Sequence, residues 1–517
     1  MLSKNFFASS LTLAIVASAL AIDGPLPLSW RWFAKTSYAP ITQPALSDGS
    51  VFVAVGRRVY GLDAMTGNPK WMFPAGEEAS GDFSTSPAVV GDAVIAGNTN
   101  HFVYAINKGT GATLWSFNLG TTNARNVVAG DNALYVFTGD DRVVALDPAN
   151  GAKTWSADYQ IEGNAVGDPL YVGGRLIYFT SSGKLTGLNV ARSKPDWQVS
   201  VQSANIDGGP VSFGQSVYVI SGSQVAQINP LTGRTGWVAR FPARLAAGAA
   251  VSEKGGAVAT EDGNVYTFDL TGRNVSKEPV KLNGYIAGSP QAAGNGIFVR
   301  MRGGSLVLID PSRKDNKVIW EYTMSAIVGA ARKTTVADGK TGETIDYVSI
   351  LGPLALSDKS VYGLADDGSL FAWGGAFGVD EIGPTIKMLN PPMGATLWGQ
   401  PDTDFYFKLD DPQTGIMSKS IHITMNGGEM KHDFKQGSGY LFARIRHPGS
   451  TEPGANAPLN DGRKTIVVTA SDWAGNVTEK TFTVTIDNTV FDKPPAPPTS
   501  GGGVGPARGG GGRGGGN

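Results

Sequence analysis

Gly61-Leu62-Asp63-Ala64-Met65-Thr66-Gly67-Asn68-Pro69-Lys70-Trp71 and, 84 residues on, Ala145-Leu146-Asp147-Pro148-Ala149-Asn150-Gly151-Ala152-Lys153-Thr154-Trp155 share one layout. A small residue is followed two positions later by Asp, four later by Gly and four later again by Trp. An apolar strand leads into each (Val59-Tyr60, Val143-Val144), the Asp opens a turn that the Gly completes, and the Trp lies on the returning strand. That is a hairpin. Ala105-Ile106-Asn107, Gly111 and Trp115 repeat it.

The tryptophans give a period. Trp71, Trp115, Trp155, Trp197 and Trp237 are 44, 40, 42 and 40 residues apart, and Trp320 follows after 83, two periods. Pro44, Pro87, Pro169, Pro210 and Pro290 lie 27, 28, 28, 27 and 30 residues before their Trp, and Pro353 continues the series. Each Pro precedes a short apolar strand, and another such as Val51 to Val55 or Val217 to Ile220 lies between the markers. Four strands per ~40 residues is the pattern of a propeller blade. Blades are expected near 44–75, 87–118, 127–158, 169–200, 210–240, 249–280, 290–323 and 353–374. The sixth has no Trp, and the eighth runs into Gly374-Gly375 where its outer strand should begin. Leu28-Ser29-Trp30-Arg31-Trp32-Phe33 is expected to supply that strand, because Trp30 lies 14 residues before Pro44 as Trp155 does before Pro169.

With these motifs the chain resembles the quinoprotein (PQQ-like) repeat propellers over about residues 28 to 375. In blade number and length it is similar to the propeller lipoproteins of the outer-membrane β-barrel assembly machinery. The resemblance implies that Trp30, Trp71, Trp115, Trp155, Trp197, Trp237 and Trp320 wedge between neighbouring blades, against turn glycines (Gly67, Gly111, Gly151, Gly233) and the small residues Gly61, Ala105, Ala145 and Gly187. Gln227 departs from that small-residue pattern. A buried indole needs an acceptor for its N–H, which a turn carbonyl can supply.

After Gly383-Pro384 the period stops, and alternating strands appear at 405–409, 420–424, 465–469 and 481–486, as in a β-sandwich. Asp461-Gly462 through Asp472-x-Ala474-Gly475-Asn476 resembles bacterial immunoglobulin-like domains, in which the last stretch is a strand-joining turn. Asp402, Asp404, Asp410 and Asp411 crowd one loop region, where solvated carboxylates are the reading preferred over calcium ligands. From Lys493 the chain is Pro-rich and then Gly-rich, too poor in apolar residues to repay ordering. The expected organisation is all-β: a signal peptide (1–21), an eight-bladed propeller closed by its N-terminal strand (22–383), an immunoglobulin-like β-sandwich (384–490) and a disordered tail (491–517).

Composition narrows the function. Lys4, the apolar run Leu11 to Leu20 and Ala19-Leu20-Ala21 read as a secretory signal, too short to span a bilayer. The reading is an exported protein, periplasmic or extracellular, with no integral membrane span. A formal charge of −1 gives no field that would gather nucleic acid. The absence of cysteine removes disulfides, thiolate metal sites and a lipidation cysteine. His101, His422, His432 and His447 lack metal-motif spacing, and no Gly-x-Ser-x-Gly exists.

No catalytic, cofactor-binding or metal-ligating residue is therefore assigned, and no cofactor is expected. The favoured function is a non-enzymatic scaffold that contacts protein partners in the cell envelope. The alternatives are a PQQ-dependent alcohol or sugar dehydrogenase, whose blades are typically longer, and an adhesin or carbohydrate-binding protein. Trp71 to Pro87 is 16 residues but Trp320 to Pro353 is 33. This polar insertion, with Arg332, Lys333, Asp338, Lys340, Glu343 and Asp346, is expected to project as a hairpin and is the candidate partner loop.

Overall fold

The computed structural model describes residues 41–489 except 121, 202–207, 276–277, 283, 316, 325–331, 336–340, 345–347, 358–359, 375–379, 400–402, 437 and 446–458. It also describes the backbone of Leu28–Phe33, and the backbone alone of Arg332–Thr335 and Thr341–Thr344. The signal-peptide and tail readings lie outside the described residues.

The chain is all-β and its first part is a propeller. Seven four-stranded antiparallel sheets follow one another with strands in chain order, from Ala45–Ser47, Ser50–Val55, Arg58–Asp63 and Pro69–Phe73 to Gln291–Ala293, Gly296–Arg300, Ser305–Ile309 and Val318–Thr323. An eighth orders Ala355–Leu356, Val361–Leu364, Ser369–Trp373 and then Leu28–Phe33, from the other end of the chain, with Trp30 opposite Ala372. Innermost strands of successive sheets pack side by side, and Ala355–Leu356 meets Ala45–Ser47, which closes the ring.

Burial follows position in the blade. Second strands such as Ser50–Val55 and Ala93–Gly97 are buried throughout, because neighbouring sheets cover both faces, and so read as unbroken apolar runs. Outer strands alternate: Pro69–Phe73 hides Trp71 and Phe73 and exposes the rest. Two outer strands depart from expectation, that of the third sheet and, in the same way, Val280–Lys281 of the sixth. The outer strand of the third sheet is only Tyr159–Gln160, and Trp155 sits in a bend before it, because Leu146 bridges Lys153 and the chain then leaves the ladder.

Beyond the propeller, two sheets face each other. One orders Thr385–Asn390, Thr403–Asp410, Tyr440–Ile445 and His432–Lys435; the other orders Thr396–Leu397, Val477–Ile486, Gly462–Ser471, His422–Met425 and Gly428–Glu429. Phe405, Phe407, Leu441, Ile466, Val468 and Val484 fill the space between them, in the alternation a half-buried strand requires. The sandwich also seats on the propeller. Trp473 packs against the cluster containing Trp320, Tyr322 and Trp373, and the Tyr322 hydroxyl donates to the Pro412 carbonyl at 2.9 Å.

Candidate functional site

The repeat tryptophans each reach into the next sheet. Trp71, Trp115, Trp155, Trp197 and Trp237 donate their indole N–H groups to the carbonyls of Lys108, Pro148, Val190, Pro230 and Leu270, at 2.8, 2.9, 3.0, 2.9 and 3.2 Å. The turn glycine of that next sheet leaves room for the ring. A Cβ on Gly111 would lie 3.0 Å from Trp71, on Gly151 2.6 Å from Trp115, and on Gly233 2.7 Å from Trp197. The small residue opening the motif lies under the indole of its own sheet, where a Cβ on Gly61 or Gly187 would come within 2.3 Å of Trp71 or Trp197.

Departures from the pattern are compensated locally. Ser193, at φ 51°, stands in the turn opposite Trp155 where Gly67, Gly111, Gly151 and Gly233 stand in other blades. Gln227 fills the small-residue position, and Gly236 gives way to it, since a Cβ there would lie 2.5 Å from the Gln227 side-chain Oε1. Gly67 adopts the same left-handed turn (φ 72°), while the side chain of Trp30 lies outside the described residues. Trp320 differs from the others. It is fully buried, edge-on to Trp373 at 6.3 Å, and its N–H has no acceptor among the described residues. The chain after Trp373 departs toward the sandwich instead of making the hairpin turn that supplies the acceptor elsewhere.

A cavity of about 950 Å³ opens at the inner ends of sheets four to eight and the lead-in to sheet one, lined by Gln43, Asp168, Arg244, Glu261, Arg300 and Arg302 among others. With four antiparallel strands per sheet, the links from outer to next inner strand and the turns between second and third strands share one face of the ring. Arg244 lies in such a link and Glu261 and Arg302 in such turns, so the cavity opens on that face. The 324–354 link belongs to the same face. Within it, Arg332–Thr335 pairs with Thr341–Thr344 as an antiparallel hairpin, Lys333 opposite Glu343. The side chains of Arg332, Lys333 and Glu343, and all of Asp338, Lys340 and Asp346, lie outside the described residues.

At the junction, Asp380, Asp411 and Asp472 are buried with carboxylate oxygens within 4.8 Å of one another. Asp411 accepts the N–H groups of Gln413, Thr414 and Gly415, each at 3.0 Å. Asp380 accepts the Thr414 hydroxyl at 2.7 Å, and Asp472 accepts the Asn476 backbone and side-chain N–H groups at 2.8 Å. Burial pushes the Asp411 carboxyl up to about 6, against the pull of the Gly415 N–H and with the charges of Asp380 and Asp472 adding to it. Burial alone pushes Glu321, on the adjoining propeller strand, up to about 7. Three carboxylates form the all-oxygen donor set of a hard divalent cation, although hydrogen bonds already engage them.

Sequence reading placed only Asp411 of this trio in its acidic group. Asp404 pairs with Arg444, Asp410 is exposed, and Asp402 lies outside the described residues. Asp380 and Asp472 are 31 residues before and 61 after Asp411, so no spacing in the chain announced them. The described histidines are scattered: His101 contacts the Thr122 carbonyl, His422 the Glu429 carboxylate and His432 the Met430 carbonyl, and His447 lies outside the described residues.

Comparison with known proteins agrees with the propeller. A family model described as outer membrane protein assembly factor BamB matches residues 29–127, 99–243 and 221–345. The outer membrane protein assembly factor BamB of Moranella endobia (strain PCIT) is 24% identical over 328 residues, 59% of this chain and 78% of that protein. The protein of the same name from Escherichia coli (strain K12) is 28% identical over 131 residues, 25% of this chain, and the chain spans only 33% of its length. Among solved structures, BamB from Moraxella catarrhalis superposes with a TM-score of 0.52 at 18% identity, covering 68% of this chain and 99% of that one. A europium-containing methanol dehydrogenase superposes with a TM-score of 0.50 at 11% identity, covering 72% and 86%. At such identities the structural likeness is one of fold. The family match extends over more than half of the sequence, and the chain belongs to the PQQ-like repeat family of outer membrane protein assembly factor BamB.

Proposed function

We propose that this chain is an exported, non-enzymatic scaffold of the bacterial cell envelope that binds protein and serves outer-membrane protein assembly. The family match across the repeats carries the reading. The eight-bladed ring supplies a rigid platform, its tryptophan wedges hold the blades in register, and the immunoglobulin-like sandwich is an added contact module. The link-bearing face is the docking face. It presents the hairpin of the candidate partner loop, and Ile41 and Tyr285 are 66% and 61% exposed there beside Arg244 and Arg302. Tyr and Arg beside apolar side chains are the composition of protein contact surfaces. Among the described residues, the cavity lining contains no histidine and no aromatic side chain.

Deleting the gene in the native host and quantifying folded outer-membrane proteins tests the reading. The expected result is a fall in their abundance, restored by the full chain. Unchanged abundance overturns the assembly role.

A further inference from the structure

The central cavity carries more positive than negative side chains. Arg244, Arg300 and Arg302 line it against Asp168 and Glu261. Arg300 is only 4% exposed, and its partners are carbonyls: its Nη1 donates to Leu351 at 2.7 Å and to Gly352, and its Nη2 to Ser289 at 3.0 Å. Its Nε–H has no acceptor, and no carboxylate lies within ion-pairing distance among the described residues. Carbonyl dipoles satisfy donors but do not cancel a unit charge, which in a desolvated setting acts over several ångströms. The charge of Asp168 acts on Arg300 without an ion pair between them, and its Oδ1 accepts the Asn126 amide at 2.9 Å; with Glu261 it sets two negative side chains against three positive ones.

Arg244 and Arg302 are exposed at the rim and make no ion pair or side-chain hydrogen bond among the described residues. Two unengaged guanidinium forks beside a buried cation that pairs with no carboxylate among the described residues form an anion-selective arrangement. A planar fork matches a carboxylate with two parallel N–H donors. At about 950 Å³ the cavity admits a small polycarboxylate or the acidic side chains of an inserted segment. Glycines in its lining let the chain pack closely around Arg300 and Asp168: a Cβ on Gly288 would lie 2.9 Å from Arg300 Nη2, and one on Gly209 2.2 Å from the Asp168 carbonyl oxygen.

We propose that the central cavity binds carboxylates, gripped by Arg244 and Arg302 at the mouth and favoured by the buried charge of Arg300. For a free small polycarboxylate the inference is independent of the scaffold reading; for acidic residues of a partner it rests on that reading.

The test uses the full chain, with citrate as one probe and the blocked peptide acetyl-Ala-Glu-Glu-Ala-amide as the other, at matched ionic strength. Melting temperature and calorimetric titration are compared for the wild type, Arg244→Ala, Arg302→Ala, the double variant and the distant control Arg463→Ala. The expected result is a saturable rise in melting temperature with at least one probe. Affinity should fall about tenfold or more for each rim arginine removed and stay unchanged in the control. Citrate binding alone identifies a small-molecule site, and peptide binding identifies a partner segment. No saturable response to either probe, or a response that survives in the double variant, overturns the proposal. Citrate binding without an outer-membrane defect on gene deletion would retain this inference while removing the assembly role.

Discussion

The indole N–H of Trp71 donates to the carbonyl of Lys108 at 2.8 Å, and Lys108 belongs to the next sheet. The same ring lies on Gly61 of its own sheet and Gly111 of the neighbour, so one side chain joins two blades through packing and a directed bond. Trp71→Phe should keep most of the packing and lose the bond, costing about 1 kcal/mol. Trp71→Ala should cost roughly 3–5 kcal/mol. Gly111→Ala should also destabilise, because its φ of 74° is unfavourable for a side chain and the new Cβ would press on Trp71 at 3.0 Å. Chemical denaturation of the three variants checks the order.

Ring closure gives a second expectation. Leu28–Phe33 is hydrogen-bonded to Ser369–Trp373, so removing residues 26–34 leaves a buried strand as an open edge. The truncated protein should melt well below the full chain and aggregate more readily. Equal melting temperatures would contradict closure by the N-terminal strand.

The junction should respond to pH. Glu321 and Asp411 have carboxyl groups raised to about 7 and about 6, so the folded state holds these protons more tightly than the unfolded chain. Stability from these groups is greatest below the ordinary carboxyl range and is lost as pH rises through about 6 to 7. Glu321→Gln and Asp411→Asn should each flatten that decline and raise the melting temperature at pH 8 relative to wild type. A steeper decline in either variant would contradict the assignment.

Cofactor chemistry is tested by mass action, since a ligand that binds only the native state raises its melting temperature. Pyrroloquinoline quinone added with calcium should give no shift beyond calcium alone. A saturable rise, or dye-linked oxidation of an alcohol, would restore the dehydrogenase alternative.

The propeller was legible because its signals are local: the Asp-to-Trp hairpin spans nine residues in the chain, as Asp63 to Trp71 does, and recurs often enough to fix the phase. Even the distant outer strand was found, because Trp30 keeps the spacing to Pro44. The sandwich was half legible. Thr403–Asp410 alternates plainly, whereas His432–Lys435 is mostly exposed and reads as polar loop. The Asp380, Asp411 and Asp472 trio and the arginine-lined cavity were not legible, because each joins residues from separate segments that only the packed ring and its seated sandwich bring together. Trp320 shows the same limit. Its spacing identified a wedge, but the acceptor was lost where the neighbouring hairpin became a linker.

The most direct measurement of the scaffold claim is quantitative capture from the host envelope. The tagged full chain would be compared with a chain whose residues 332–346 are replaced by a short Gly-Ser turn, and with an unrelated propeller as background. The expected result is equal melting temperatures, a defined set of proteins enriched by the full chain, and loss of that set in the replaced chain. Enrichment of no protein above background by the full chain would contradict the account; the same set recovered by both chains would remove the hairpin from the docking face.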